Sequence, residues 1–288
     1  MAETTTTKPN PSIPSELFHT VLTVVHHRPD TSSSTQDVHV LGTHTTLAAA
    51  KAFALSALQQ QLGYRPDNFA TYAARTDTQE EGGKEDAEEW PHGDSVMVYA
   101  KSPRHPPGKG QEFLVSVDTT PNTAALQLQA AGGNTILLPE DGHLHYVLRS
   151  RTDYNQGKDK DKDKDKDKSG GGCGDVFQET EIRGCYASRD AALAAARGVL
   201  LPVGEGGGGM SRNEYAQYDE REGDDDVETG DGGGWPFGED VYVHAVALTG
   251  EHYTVEVKTP AQARRKYGKT ERGEGLVDEA DVFTPEWG

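Results

Sequence analysis

Cysteine is almost missing from this 288-residue chain: Cys173 and Cys185 are its only two. That excludes a disulfide framework. Long apolar runs are missing too. No stretch approaches the roughly 18–20 residues that a membrane-spanning helix needs, so no membrane partner is expected. Hydrophobic residues make up only 34% of the chain, so its cores should be small, and small cores are marginally stable. Basic charge is scarce: 28 Lys and Arg stand against 47 Asp and Glu, for a formal charge of −19. Such a surface repels phosphate backbones and argues against nucleic acid as a partner. A protein partner or a small molecule remains open. The start, MAETTTTKPN, has neither the charged-then-apolar pattern of a secretory leader nor an Arg-rich transit pattern. The expected location is cytoplasm or nucleus, not secreted. Walker, HExxH, GxSxG and CxxC patterns are all absent, so no cofactor is expected and the reading leans away from an enzyme. A catalytic site can still be assembled without a local motif.

What the chain does have is internal similarity, which is the first thing to look for in a sequence of this length. GTHTTLAAAKAFALSAL at 42–58 matches GCYASRDAALAAARGVL at 184–200. WPHGDSVMVYA at 90–100 matches WPFGEDVYVHA at 235–245, and GQEFLVSVDTTP at 110–121 matches GEHYTVEVKTP at 250–260. Phe18-His19-Thr20-Val21-Leu22 is aligned with Leu144-His145-Tyr146-Val147-Leu148, and Phe69, Tyr72 and Arg75 with Tyr215, Tyr218 and Arg221. The blocks keep the same order. They predict a tandem duplication: a tail over 1–14, a first module over 15–132, a linker over 133–142, a second module over 143–268 and a tail over 269–288. The alternating Lys-Asp tract then falls inside a loop of the second module, 156–174, rather than between modules. With no apolar residue it can bury nothing and should be disordered.

Each module reads as β-β-α-β-β-(α), an α+β unit. Strands rich in Val, Leu, Thr and Tyr are predicted over 18–26, 38–42, 95–100 and 113–118, and over 144–151, 176–184, 241–247 and 253–258. Thr45 or Thr46, and Ser188, stand where a helix N-cap belongs. Leu47, Ala50, Ala54, Leu58 and Leu62 recur at helical spacing up to Gly63, a natural stop. Thr-Pro at 120–121 and 259–260 predicts a short terminal helix in both copies. The expected fold is two mostly antiparallel four-stranded sheets, paired within the chain as a pseudo-dimer.

Several residue groups are candidates for function. Trp-Pro-x-Gly-Asp/Glu at 90–94 and 235–239 offers an aromatic face beside a carboxylate: Trp90 with Asp94, and Trp235 with Glu239. The bland reading is a turn shaped by Pro and Gly. Arg75 and Arg221, with the nearby Phe69, Tyr72, Tyr215 and Tyr218, would either line a pocket or simply pack. His19, His26, His27, His39 and His44 crowd the first two strands. His19 and His39 could meet across the hairpin as zinc ligands, although only His19 has a histidine at its aligned position, His145. Outward-facing polar histidines are the alternative. The acidic loops at 77–89 and 219–231 carry oxygen ligands without EF-hand spacing. Cys185 as a nucleophile would need a base and a lowered pKa. The basic run 264–269 reads as a solvated helix face, a nuclear address or a partner contact. The aromatics near Trp287 would either dock back or bind a partner.

The strand–Gly–capped Ala helix and the Trp-Pro-x-Gly-Asp turn, with the Gly, Asp-Lys and Thr tracts, resemble functionally uncharacterised fungal proteins with a tandem α+β module. That resemblance implies no activity and transfers no residue role. Two functions are carried forward. One is an intracellular non-enzymatic interaction or ligand-binding protein. The other is a small-molecule enzyme of the duplicated α+β-barrel type, with its pocket between the modules. Deleting residues 158–172 is expected to leave Tm nearly unchanged; a thermal melt lowered by more than a few degrees would contradict the loop assignment.

Overall fold

The computed structural model describes residues 13–27, 34–75, 90–103, 110–126, 143–154, 176–201, 211–221 and 235–269. They form two similar halves. The first contains β1 (Glu16–His27), β2 (Ser34–His44), α1 (Leu47–Leu62), β3 (Thr71–Ala74), β4 (Val96–Lys101) and β5 (Gln111–Pro121). The second contains β6 (His145–Asp153), β7 (Phe177–Tyr186), α2 (Arg189–Gly198), β8 (Tyr215–Glu220), β9 (Val241–Ala247) and β10 (His252–Lys258), followed by α3 (Pro260–Tyr267). Each sheet is antiparallel, in the order β2-β1-β5-β4-β3 and β7-β6-β10-β9-β8. The sheets have five strands, not four. The fifth is the aromatic segment, β3 or β8, whose short length and weak alternation hid it in the sequence.

The helices follow from their caps. Thr46 accepts a hydrogen bond from the Ala49 amide at α1, as Ser188 does from Ala191 at α2. Gly63 ends α1 in the left-handed region at φ 77°, its amide turned back to the Gln59 carbonyl and the Tyr64 amide to that of Leu58. Because β2 and β3 lie at opposite edges, α1 must cross the sheet between them. Ala50, Ala54, Ala57, Leu58 and Leu62 of α1 are buried, whereas Leu47, expected in the same stripe, is 43% exposed. The small alanines let the helix lie close to Leu22, Val24, Val98, Phe113 and Val115. Ala192 and Ala196 of α2 do the same over Val243 and Val255.

Both halves carry a bulge beside a glycine. Thr20 faces Gly42 and Val21 faces Val40; Val147 faces Gly184 and Leu148 faces Ile182. A Cβ on Gly42 would crowd Phe53 at 3.1 Å, and one on Gly184 would displace the Tyr186 ring, which it would meet at 2.6 Å, so glycine lets these rings lie close to the backbone. These bulges fix the correspondence of the halves. His19 lies opposite Thr43 and Tyr146 opposite Cys185, so His19 corresponds to Tyr146, not to His145. The sequence alignment of the first strand is one residue out because it matched histidine to histidine.

A third core belongs to neither half alone. Leu17, Val40 and Leu126 pack with Leu144, Tyr146, Leu148 and Cys185, and Ile182 borders them. At the other end of the contact, the Gln36 amide donates to Gln178 Oε1 at 3.1 Å and Gln178 Nε2 donates to the Gln36 carbonyl at 2.9 Å.

The two Thr-Pro steps part ways. Thr259 caps α3 with Pro260 at its first turn, as expected. In the first half Pro121 is still in β5, facing Glu16. The chain then turns on Asn122, whose side chain accepts from the Leu126 amide at 2.9 Å and donates to its carbonyl at 3.0 Å. The first half has one more residue at this point, Thr119-Thr120-Pro121 against Thr259-Pro260, and the extra threonine prolongs the strand. The end of the helix expected to close at Gly132, the 133–142 linker, both tails apart from residues 13, 14 and 269, the Lys-Asp tract, Cys173 and the acidic loops apart from residues 219–221 lie outside the described residues.

Leu148 is fully buried in the shared core. Leu148→Ala should cost about 2–5 kcal/mol and lower the midpoint of a single urea transition. Two separate transitions, with only the second half affected, would show that the halves do not depend on that core.

Candidate functional site

The residues shared by both halves build turns. Gly93 (φ 95°) and Gly238 (φ 107°) hold the left-handed positions of the Trp-Pro-x-Gly turns. Arg75 Nη1 donates to the Asp94 carbonyl at 2.6 Å and Arg221 Nη1 to the Glu239 carbonyl at 2.9 Å. The Arg75 and Arg221 amides bond the Met97 and Tyr242 carbonyls, each at 2.9 Å. The two arginines thus brace the turn onto strand β4 or β9, using the main-chain oxygens of Asp94 and Glu239. The ring that meets the sheet is the unspecified x residue: His92 stacks on Tyr99 at 4.0 Å, and Phe237 on His244 at 3.9 Å. Trp90 and Trp235 stand edge-on to those rings at 4.9 and 5.0 Å. The sequence held a signal for this, since x is aromatic in both copies. Phe69 and Tyr72 pack on the first core, and Tyr215 and Tyr218 belong to the second.

Of the histidines of β1 and β2, His19, His39 and His44 are buried, His26 is half-buried and His27 alone is exposed. His19 and His39 do not meet, since His39 lies opposite Leu22. Among the described residues no group of three or more His, Cys, Asp or Glu could hold a metal ion. His19 sits where the halves join. Its ring nitrogens bond Thr43 Oγ1 at 2.8 Å and Thr120 Oγ1 at 2.7 Å, and its edge meets the Tyr146 ring at 5.9 Å. Thr43 Oγ1 also bonds the Tyr146 hydroxyl at 2.8 Å. Burial, with some repulsion from His44, pushes the His19 pKa down to about 4. Burial raises the Cys185 thiol to about 12, more than offsetting its bond to Thr43, which is the reverse of what a nucleophile needs.

His39 instead joins a carboxylate that gathers four donors. Asp37 Oδ2 accepts from His39 Nε2 at 2.9 Å, Tyr267 hydroxyl at 2.7 Å and Lys266 Nζ at 2.8 Å, while Oδ1 accepts from Lys258 Nζ at 3.0 Å. Burial alone would raise the Asp37 pKa, but the His39 bond and the Lys258, His39 and Lys266 charges hold it well below the usual carboxylate range. Lys258 also pairs with Glu256 at 2.9 Å and donates to the Val38 carbonyl at 3.2 Å. Although burial opposes it, Glu256 and Asp37 keep that ammonium charged, its pKa raised. Burial first, and then Asp37, push the Tyr267 hydroxyl up; its oxygen lies 3.1 Å from His26 Nε2. The basic run is therefore not simply a solvated face: α3 reaches back so that Ala263 and Tyr267 enter the core of the first half.

On the other side of the junction lies a cleft of about 230 Å³. Its walls are Val21, Thr23, Ser95 and Ser116 from the first half and Thr180, Glu181 and Ile182 from β7, with Gln36, Val38, Val117 and Asp118 completing it. Glu181 is engaged by Arg149 and Arg183. Comparison with family models, curated proteins and solved structures returns no match. No helix among the described residues is long and apolar enough to cross a membrane.

A histidine whose folded pKa lies below its unfolded value of about 6.5 is stabilising while neutral. The His19 contribution is therefore complete above pH 6.5, is lost as pH falls from about 6.5 to 4, and is constant below. At about 1.4 kcal/mol per pKa unit this amounts to about 3 kcal/mol. Urea titrations at pH 7.5 and 4.5 should show that loss in the parent and a clearly smaller one in His19→Gln; equal losses would refute it.

Proposed function

We propose that this chain is a non-enzymatic binding protein, a tandem duplication whose two modules pair within the chain and hold a small ligand in the cleft between them. The observation that carries the reading is the cleft itself. It is about 230 Å³ and lies between the halves, lined by Val21, Val38, Val117 and Ile182 together with hydroxyl, amide and carboxylate side chains. A concave space where several polar side chains converge beside apolar ones can orient a small ligand. The groups best suited to catalysis are engaged elsewhere: His19 between two threonines, the Cys185 thiol in the shared core, and the Asp37–His39 pair beneath α3. The turns at Trp90 and Trp235 support the reading as scaffold. A small-molecule enzyme is the second reading, favoured by the cleft's position between the halves.

Native mass spectrometry of the protein purified from cells tests the proposal. The parent should carry a small-molecule adduct that Ser116→Trp, which fills the cleft, no longer carries. A parent without adduct, or an equal adduct on both, would sink it.

A further inference from the structure

The two sides of the junction correspond residue by residue, and one of them already holds a cation. Asp37 and Val38 stand five and four residues before the bulge glycine Gly42; Glu179 and Thr180 stand five and four before Gly184. Lys258 lies opposite Tyr146 in β10, and Asp118 lies opposite His19 at the same place in β5. On the closed side, the Lys258 ammonium rests on the Val38 carbonyl, Asp37 and Glu256. On the open side the lysine is replaced by Asp118, Glu256 by Ser116, and the carbonyl at the place of Val38 is that of Thr180. Asp240, whose carbonyl takes the Val257 amide, is replaced by Ser95, whose carbonyl takes that of Val117. The cleft thus keeps the edge-strand carbonyl position that holds an ammonium on the other side. It lacks the ammonium and gains a carboxylate.

The geometry points to an organic cation bearing a primary ammonium as the ligand of the open cleft. Its ammonium takes the place that Lys258 fills across the junction, and its carbon chain lies on Val21, Val38 and Ile182. Resting on the cleft as the binding site, this names the ligand class. Asp118 is the recognition residue. It lines the cleft, and its Oδ1 takes only the neighbouring Thr119 amide at 2.7 Å among its described hydrogen bonds. Ser116, Ser95 and Thr180 offer hydroxyls for the remaining ammonium protons, and Thr180 also bears its hydroxyl bond to Ser150 at 2.7 Å. Glu181 contributes little net charge, because Arg149 and Arg183 engage it. Those two arginines also disfavour a ligand with a second cation at that end. A monoamine with an alkyl chain therefore fits better than a polyamine.

Calorimetric titration of the full chain with n-butylamine tests this, with n-butanol as the neutral control and spermidine as a probe of the bare surface charge. The expected result is saturable one-to-one binding of the amine and none of the alcohol. Asp118→Asn should weaken the amine by roughly tenfold, the size of one charge-assisted hydrogen bond. Asp67→Asn, distant from the cleft, should leave it unchanged. Asp118→Lys should rebuild the internal ammonium and abolish binding while melting no lower than the parent. Equal binding of amine and alcohol, an amine affinity indifferent to both Asp118 variants, or spermidine binding more tightly with no saturation would overturn the assignment. An adduct that persists in native mass spectra and is lost in Ser116→Trp, with no amine response, would overturn only the ligand class and leave the cleft as the site.

Discussion

The carboxylate of Asp37 ties together three parts of the chain that nothing local in the sequence connects. It sits on an edge strand of the first half, and its donors come from that strand (His39), from the last strand of the second half (Lys258) and from the terminal helix (Lys266 and Tyr267). A charge in such a place is costly to desolvate and is tolerated only when its oxygens are fully engaged. Four donors on two oxygens meet that condition. Removing any one leaves the others around an under-satisfied charge, so the group acts as a unit, and its importance lies in specifying geometry more than in net stability. With the helix placed by this carboxylate, Tyr267 can reach Phe113 and His39 at ring distance and complete the first core.

A chain with so little apolar content reaches a stable size by sharing. The first half borrows Ala263 and Tyr267 from beyond the second, and the junction takes Leu17, Val40 and Leu126 from one side and Leu144, Tyr146 and Leu148 from the other. Small separate modules would leave those surfaces wet. The junction is not purely apolar, however. Thr120, His19, Thr43 and Tyr146 form a continuous hydrogen-bonded chain within it, which helps to fix the register of the two sheets where oil-like packing alone would allow sliding. The same chain carries a buried neutral histidine, so the junction is also a place where acid acts.

How far the sequence revealed this depended on whether the determinant was local. Caps at Thr46 and Ser188, the stop at Gly63 and the Thr259-Pro260 start are set by a few neighbouring atoms, and all were legible. The short edge strands β3 and β8 were not, because a four-residue strand such as Thr71–Ala74 is stabilised by its neighbour rather than by its own pattern. His19 and His145 share a residue type but not a register; the bulge beside Gly42 and Gly184 makes Tyr146 the counterpart of His19. Repetition separated roles well in one respect. Arg75, Arg221 and the Trp-Pro turns recur and brace the fold in both halves. Asp37, His39 and the cleft have no repeated signature, because each depends on contacts between residues more than a hundred positions apart.

The difference between the two sides of the junction follows from very few residues. One additional threonine after β5 continues that strand to Pro121, whereas its absence after β10 lets Thr259 and Pro260 start α3 at once. The helix that starts there brings Lys266 and Tyr267 onto Asp37, and Lys258 fills the space between the sheet and the edge strand. Across the junction the lysine is an aspartate, and an aspartate cannot fill that space: its side chain is too short, and it brings a carboxylate where the other side has an ammonium. A fold built from two similar halves therefore closes one of its two equivalent clefts with its own charge and leaves the other with an opposite charge and room to spare. That asymmetry is where similar halves can acquire a function that neither half holds alone.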